Sequence, residues 1–170
     1  MKDRNGLTEE EFLKQYNPDK YPKPSLTADI VVLAKGQDCL QILLVKRGGH
    51  PFIGHYATPG GFANKNEPLE KTAARELAEE TGVTGLPLQL LGVYSKPGRD
   101  PRGWVVSCAY MAVIDKNKVH VKAGDDAAEA KWFTVTKAHA LICGDETLSL
   151  SDLAFDHQDI VRDALAKIGY

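Results

Sequence analysis

The stretch that most constrains this chain is GFANKNEPLEKTAARELAEETGV, running from Gly61 to Val83. Its second half carries the punctuation of a helix. Pro68 stands in the first turn, where a missing N–H costs nothing, and Gly82 follows the end, where left-handed geometry closes a helix. A helix is therefore predicted over 68–81. Leu69, Ala73 and Leu77 fall on one side of it and can pack on a sheet. Glu76, Glu79 and Glu80 stand at i, i+3 and i+4, so their carboxylates share a face. Like charges at that spacing repel, and no lysine on the face neutralises them. A solvated acidic face is the ordinary outcome for such a helix; the alternative is a cation held among the carboxylates. Oxygen ligands at this density suit Mg²⁺ or Mn²⁺. Gly60-Gly61 precedes a loop whose backbone comes close to something, and a carbonyl there can add another oxygen. Arg75 is placed to pair with a loop carboxylate such as Glu67 and hold the loop on the helix.

The rest of the chain supplies layers for that helix to pack against. Thr8 followed by Glu9, Glu10 and Glu11 reads as a capping-box helix start, and Asn17 to Ser25, with three prolines, as an extended connector. Ile30–Leu33 and Leu40–Val45 are predicted to form a hairpin around Gly36-Gln37-Asp38. Gly48 to Gly61 reads as loop. Strands are predicted at Leu88–Ser95, Trp104–Ile114 and Ala130–Thr134. A C-terminal helix presents Ile160, Val161, Ala164, Leu165 and Ile168 on one face and stops at Gly169. Antiparallel strands flanked by helices imply an α/β fold, a mixed sheet sandwiched by helices. A length of 170 residues suits one domain over 1–170, with the N-terminal helix and connector in 1–25.

Charge and composition exclude several function classes. A net charge of −2 provides no basic field for nucleic acid or an anionic membrane. The N-terminus, Met1-Lys2-Asp3-Arg4, lacks the apolar core of a signal peptide, and no apolar run reaches the ~18 residues of a membrane span. Cys39, Cys108 and Cys143 show no metal-ligand spacing and read as small buried thiols. A cytoplasmic location is expected.

Gly61, then five residues, Glu67, then seven, then Arg75-Glu76-Leu77-Ala78-Glu79-Glu80-Thr81-Gly82-Val83 matches the Nudix box at every defined position. The chain thus resembles the Nudix hydrolases, with the box at 61–83. That resemblance implies an α/β/α sandwich and metal-dependent hydrolysis of a nucleoside diphosphate linked to another group. It implies Glu76, Glu79 and Glu80 as metal ligands, the Gly60 carbonyl as a further ligand, and Gly61, Glu67 and Arg75 as structural supports. Glu76 is the position that serves as general base in some members. Others take the base from a later loop; here the candidates are Asp125, Asp126 and Glu129, with a polar turn as the plain alternative.

Leu44-Val45-Lys46-Arg47, His50-Pro51-Phe52, Gly98-Arg99-Asp100-Pro101-Arg102-Gly103, Gly124 to Glu129 and Leu153-Ala154-Phe155-Asp156-His157 look like the ADP-ribose pyrophosphatase branch. Thr58 and Trp104 depart from its common pattern. Arg99 and Arg102, on a Pro/Gly-rich loop, can offer forked donors to phosphate or ribose, and Arg47 at a strand end can reach a phosphate. Phe52 and Tyr56 can stack on adenine or simply pack. His157 is expected to be structural. The expected partner is a nucleotide-sugar or related small molecule, with homodimers frequent in the branch. Hydrolysis of ADP-ribose leads, with a nucleoside-triphosphate pyrophosphohydrolase as the alternative. Some domains of this branch are fused to a DNA-binding domain and sense ADP-ribose. The chain's end at Tyr170 and its intact carboxylates argue for the enzyme.

Overall fold

The run from Ile30 to Ala34 is continuously apolar, the pattern of a strand covered on both faces. In the computed structural model, which describes residues 1–36, 39–115 and 127–170, it is the middle of strand β1 (Ser25–Lys35). Side chains alternate along it. Ala28, Ile30 and Val32 pack with Ala73 and Leu77 of helix α2 (Leu69–Thr81). Val31 and Leu33 pack with Ile160, Val161, Ala164 and Leu165 of helix α3 (His157–Lys167). One strand therefore carries a helix layer on each face, and the sandwich predicted from the sequence is the observed architecture. Each buried aliphatic side chain contributes about 1.5–3 kcal/mol to that arrangement.

The remaining strands extend the sheet from β1 in both directions. Strand β2 (Leu40–Arg47) runs antiparallel to it, and two short strands, β3 (Tyr56–Ala57) and β4 (Gly60–Phe62), join β2 and β1. Strands β5 (Gln89–Tyr94) and β6 (Val105–Asp115) lie on the other side, β6 parallel to β1. Strand β7 (Ala127–Val135) pairs with β2 and leads to a small hairpin, β8 (Leu141–Cys143) and β9 (Glu146–Leu148). The order is β5-β6-β1-β2-β7-β8-β9. Helix α1 (Glu9–Gln15) precedes the sheet and has the reciprocal Thr8–Glu11 capping box its sequence predicts.

Three expectations need adjustment. The stretch read as loop before Gly61 contains β3 and β4, which are too short for periodicity to reveal. The β8–β9 hairpin was not expected for the same reason. Cys39 is exposed, at the end of the β1–β2 hairpin; Cys108 and Cys143 are half-buried, so the three do not share one buried environment. The turn residues Gln37 and Asp38 and the candidates Asp125 and Asp126 lie outside the described residues. Among the described residues no helix is long and apolar enough to cross a membrane.

Candidate active site

The pairing of β4 with β1 decides where the chemistry sits. It sets Gly60 opposite Asp29 and Phe62 opposite Thr27, then hands the chain to α2. Helix α2 ends at Gly82, whose left-handed φ of 71° lets its N–H cap the Ala78 carbonyl. From that last turn Glu80 reaches back, and its Oε2 accepts the Gly60 N–H at 2.9 Å. Gly60 has to be a glycine here, because a Cβ would run into the β1 backbone at Ala28 and Asp29, and a Cβ on Gly61 would displace the Glu76 carboxylate. A Cβ on Gly60 would stand 2.6 Å from Asp29 Oδ1, and one on Gly61 2.5 Å from Glu76 Oε2.

Arg75 reorganises the acidic face. Its Nε and Nη2 donate to the two oxygens of Glu67, each at 2.9 Å, so loop and helix are clamped as expected. Arg75 Nη2 also donates to the Phe62 carbonyl at 3.0 Å. Its Nη1 donates to Glu76 at 2.6 Å and to Glu79 at 3.0 Å. The face that lacks a lysine is thus neutralised in part by an arginine, which corrects the expectation of uncompensated repulsion. The Arg75 guanidinium holds Glu67 down at about 2. Burial raises Glu76, against the opposing pull of Arg75.

Glu80 is different. It faces a cavity of about 210 Å³ whose walls include Asp29, Arg47, Arg99, Arg102 and Phe155. Burial pushes its carboxyl up to about 7; the Gly60 N–H opposes this, and Glu76 and Asp29 add to it. A buried carboxylate next to other carboxylates favours either a proton or a cation. Thr27 Oγ1, on the same wall, is buried with no hydrogen-bond partner. Among the described residues no three His, Cys, Asp or Glu side chains converge into a closed ligand set, because Arg75 draws Glu76 and Glu79 to itself. The donor chemistry nevertheless fits a hard divalent cation: carboxylate oxygens, a glycine backbone that comes close, and one carboxylate without a cationic bonding partner.

The expected substrate residues divide. Arg99 is only 8% exposed. Its Nε and Nη2 donate to the two oxygens of Asp156 at 2.8 and 2.6 Å, and Nη2 lies 3.6 Å from Asp29. The forked edge that the sequence offers to substrate is taken by protein. Arg102 is held by Asp100 through Nε and Nη2, with its guanidinium 4.6 Å from the Phe62 ring centroid and 5.3 Å from that of Phe155. Arg47 donates Nε to the Pro51 carbonyl at 2.7 Å and lies 4.8 Å from the Phe155 centroid. Tyr56 is 4% exposed, its ring against Phe133 and its hydroxyl donating to Glu129 and Glu146. Glu129 also pairs with Lys131. Phe52 packs on Phe155. Phe52, Tyr56 and Glu129 are outside the cavity wall.

Sequence reading missed the polar frame behind these groups. Asp29 is buried in β1 and accepts from the Ser107 hydroxyl of β6. His157 Nδ1 accepts the Thr58 N–H at 3.0 Å, which leaves Nε2 as the protonated nitrogen, 3.7 Å from Asp29. Full burial keeps His157 below its ordinary value, hence neutral. The unusual Thr58 and the helix-start His157 are therefore partners. A carboxylate at the head of an apolar strand was the available signal for Asp29.

A NUDIX-domain family model matches residues 23–151. The chain belongs to the Nudix family. Nudix hydrolases use divalent metal, in keeping with the donor set of α2. Similar proteins include the ADP-ribose pyrophosphatase of Methanocaldococcus jannaschii, 39% identical over 151 residues, which cover 89% of this chain and 78% of that protein. The ADPR responsive transcriptional repressor of Acinetobacter baylyi is 34% identical over 166 residues, 96% of this chain. This chain spans 62% of that repressor's length. Among solved structures, the NUDIX domain of Shewanella oneidensis NrtR complexed with ADP ribose superposes with a TM-score of 0.77 at 30% identity, covering 95% of this chain and 99% of that one.

Glu80 gives this Nudix site a testable pH signature. Its folded value of about 7 lies above the ordinary 4.5. Its contribution to stability is therefore complete below about pH 4.5 and is lost as pH rises through about 7. His157, held neutral, has the opposite sign below its ordinary 6.5, so the metal-free curve mixes the two. The increment from metal would separate them, because a cation held by Glu80 would require its ionised form and would not involve His157. The gain in Tm on adding saturating Mn²⁺ is expected to be larger at pH 8 than at pH 5.5. Equal gains at both would detach Glu80 from the cation.

Proposed function

We propose that this chain hydrolyses the central phosphoanhydride of ADP-ribose, giving AMP and ribose 5-phosphate. One observation carries the reading. A half-buried carboxylate, Glu80, and two guanidiniums, Arg47 and Arg102, face the same cavity without forming an ion pair with one another. Such a site is complementary to a cation together with a polyanion, which a metal-bound diphosphate supplies.

Glu76, Glu79, Glu80 and the Gly60 carbonyl would hold Mg²⁺ or Mn²⁺, which when bound neutralises phosphate oxygens and acidifies water. The chain's own groups do the rest. Arg47 and Arg102 bind the diphosphate in its charged form and orient it. Glu76, raised by burial, is suited to accept the proton that the attacking water loses. Arg75 and Glu67 keep the loop on the helix, so the carboxylates and Gly60 stay in one place. The likeness to a pyrophosphatase at 39% identity supports ADP-ribose over triphosphates.

A second reading has its own support: the repressor and the ADP-ribose complex belong to proteins that respond to or bind this ligand. The two separate on turnover. With ADP-ribose, sugar nucleotides, dinucleoside polyphosphates and nucleoside triphosphates compared by kcat/KM, ADP-ribose is expected to lead. A preferred triphosphate would overturn the substrate assignment. Tight ADP-ribose binding with no turnover of any compound would select the sensor.

A further inference from the structure

Phe155 is one of four described non-glycine residues with a left-handed φ, and the one among them that lines the cavity. It is not a glycine, yet its φ is 55°, a left-handed conformation that is disfavoured for a residue with a Cβ. Such strain persists only where the surroundings hold it. The residue lies at the entry to α3, where the chain brings Phe155 and His157 to the same cavity. Phe155 and His157 line the cavity, and Asp156 between them accepts from Arg99, itself a lining residue.

The Phe155 ring then collects cations. Arg47 lies 4.8 Å and Arg102 5.3 Å from its centroid, and Phe62 flanks Arg102 at 4.6 Å. Two guanidiniums on one ring repel; Arg47 is lowered by burial first and by Arg102 next, while Glu80, Asp100 and Asp29 pull the other way. Stacking uses the face of a guanidinium and leaves its in-plane N–H groups outward. Among the described residues neither Nη of Arg47 nor Nη1 of Arg102 has a hydrogen-bond acceptor; the bonds made are from Arg47 Nε to Pro51 and from Arg102 to Asp100. Those free donors and the unpartnered Thr27 hydroxyl belong to one cavity.

We propose that Phe155 is a positioning residue whose ring holds Arg47 and Arg102 as a paired clamp for the two phosphates of a diphosphate. The inference rests on the proposed function for its substrate but not for its test. Calorimetric binding of inorganic pyrophosphate can be read whether or not ADP-ribose is turned over. Phe155→Leu keeps bulk without a π face and is expected to weaken pyrophosphate about tenfold, in line with the loss of two cation–π contacts. Phe155→Tyr keeps the face and should stay within about threefold of wild type.

A double-mutant cycle guards against a merely structural effect. If Phe155 acts through Arg102, the Phe155→Leu and Arg102→Ala losses should be less than multiplicative. With ADP-ribose, Phe155→Leu should raise KM while kcat stays within about threefold. Equal pyrophosphate affinity in wild type and Phe155→Leu, no pyrophosphate binding by wild type, or multiplicative losses in the cycle would each overturn the clamp. An inactive wild type that still shows the Phe155-dependent pyrophosphate affinity would overturn only the proposed reaction.

Discussion

Replacing Glu80 with glutamine is expected to lower turnover at least ~100-fold while leaving the fold intact, because losing a group that only supports a metal's ligands already costs about 10–100-fold and a charged ligand should cost no less. The structure explains why the two effects should separate. Glutamine has the same shape, and its amide oxygen can still accept the Gly60 N–H that Glu80 accepts at 2.9 Å. What disappears is the negative charge, which burial and the neighbouring Glu76 and Asp29 already disfavour. The metal-free variant should therefore unfold at the same temperature as wild type or higher at pH 8, while its Tm gain from Mn²⁺ shrinks. Glu79→Gln should match it in turnover. Glu79 is half-exposed and bonded to Arg75, so its contribution depends on leaving that arginine for the cation. Steady-state kcat at saturating metal, with a melt on the same sample, checks both. Near-normal turnover in either variant would remove that residue from the site.

Arg99→Ala is expected to act on stability first. Its guanidinium is bonded to Asp156 and lies near Asp29, with side-chain exposures of 4%, 16% and 9% for Arg99, Asp156 and Asp29. Removing one partner of a buried ion pair leaves the other charges uncompensated, a loss of about 3–5 kcal/mol. Asp29 retains the Ser107 hydroxyl and Asp156 retains some solvent, which places the expected loss toward the lower end. Urea unfolding measures it. A loss below about 1 kcal/mol, as for an exposed pair, accompanied by a raised KM for ADP-ribose would return Arg99 to direct contact with substrate.

The parts of this molecule that were legible in the sequence share a physical property: their signal is local and repeats. The apolar run of β1, the Leu69–Ala73–Leu77 stripe of α2, its Gly82 stop and the apolar face of α3 each follow from residues close together in the chain. The box resemblance extends that legibility to Glu76, Glu79 and Glu80. Features built from distant partners were hidden. Asp29 reads as one polar residue at the start of an apolar strand, and nothing local names Ser107, Arg99 or His157 as its neighbours. Arg102 reads as a substrate arginine, but not its stacking between Phe62 and Phe155. Arg75 was visible as a clamp on Glu67, while its reach to Glu76 and Glu79 needed the helix geometry. The left-handed φ of Phe155 has no sequence signature, since glycine is the residue that announces it.

The carboxylates of α2 and the arginine-lined cavity beside them are proposed to form one hydrolytic site. The most direct measurement is AMP release from ADP-ribose by the wild-type chain, followed with Mg²⁺ or Mn²⁺ present and then after addition of excess chelator. AMP and ribose 5-phosphate are expected in equal amounts, formed only while the metal is available and almost abolished by Glu80→Gln. Binding of ADP-ribose without AMP release under either metal, or release that survives both the chelator and the Glu80 substitution, would contradict that proposal.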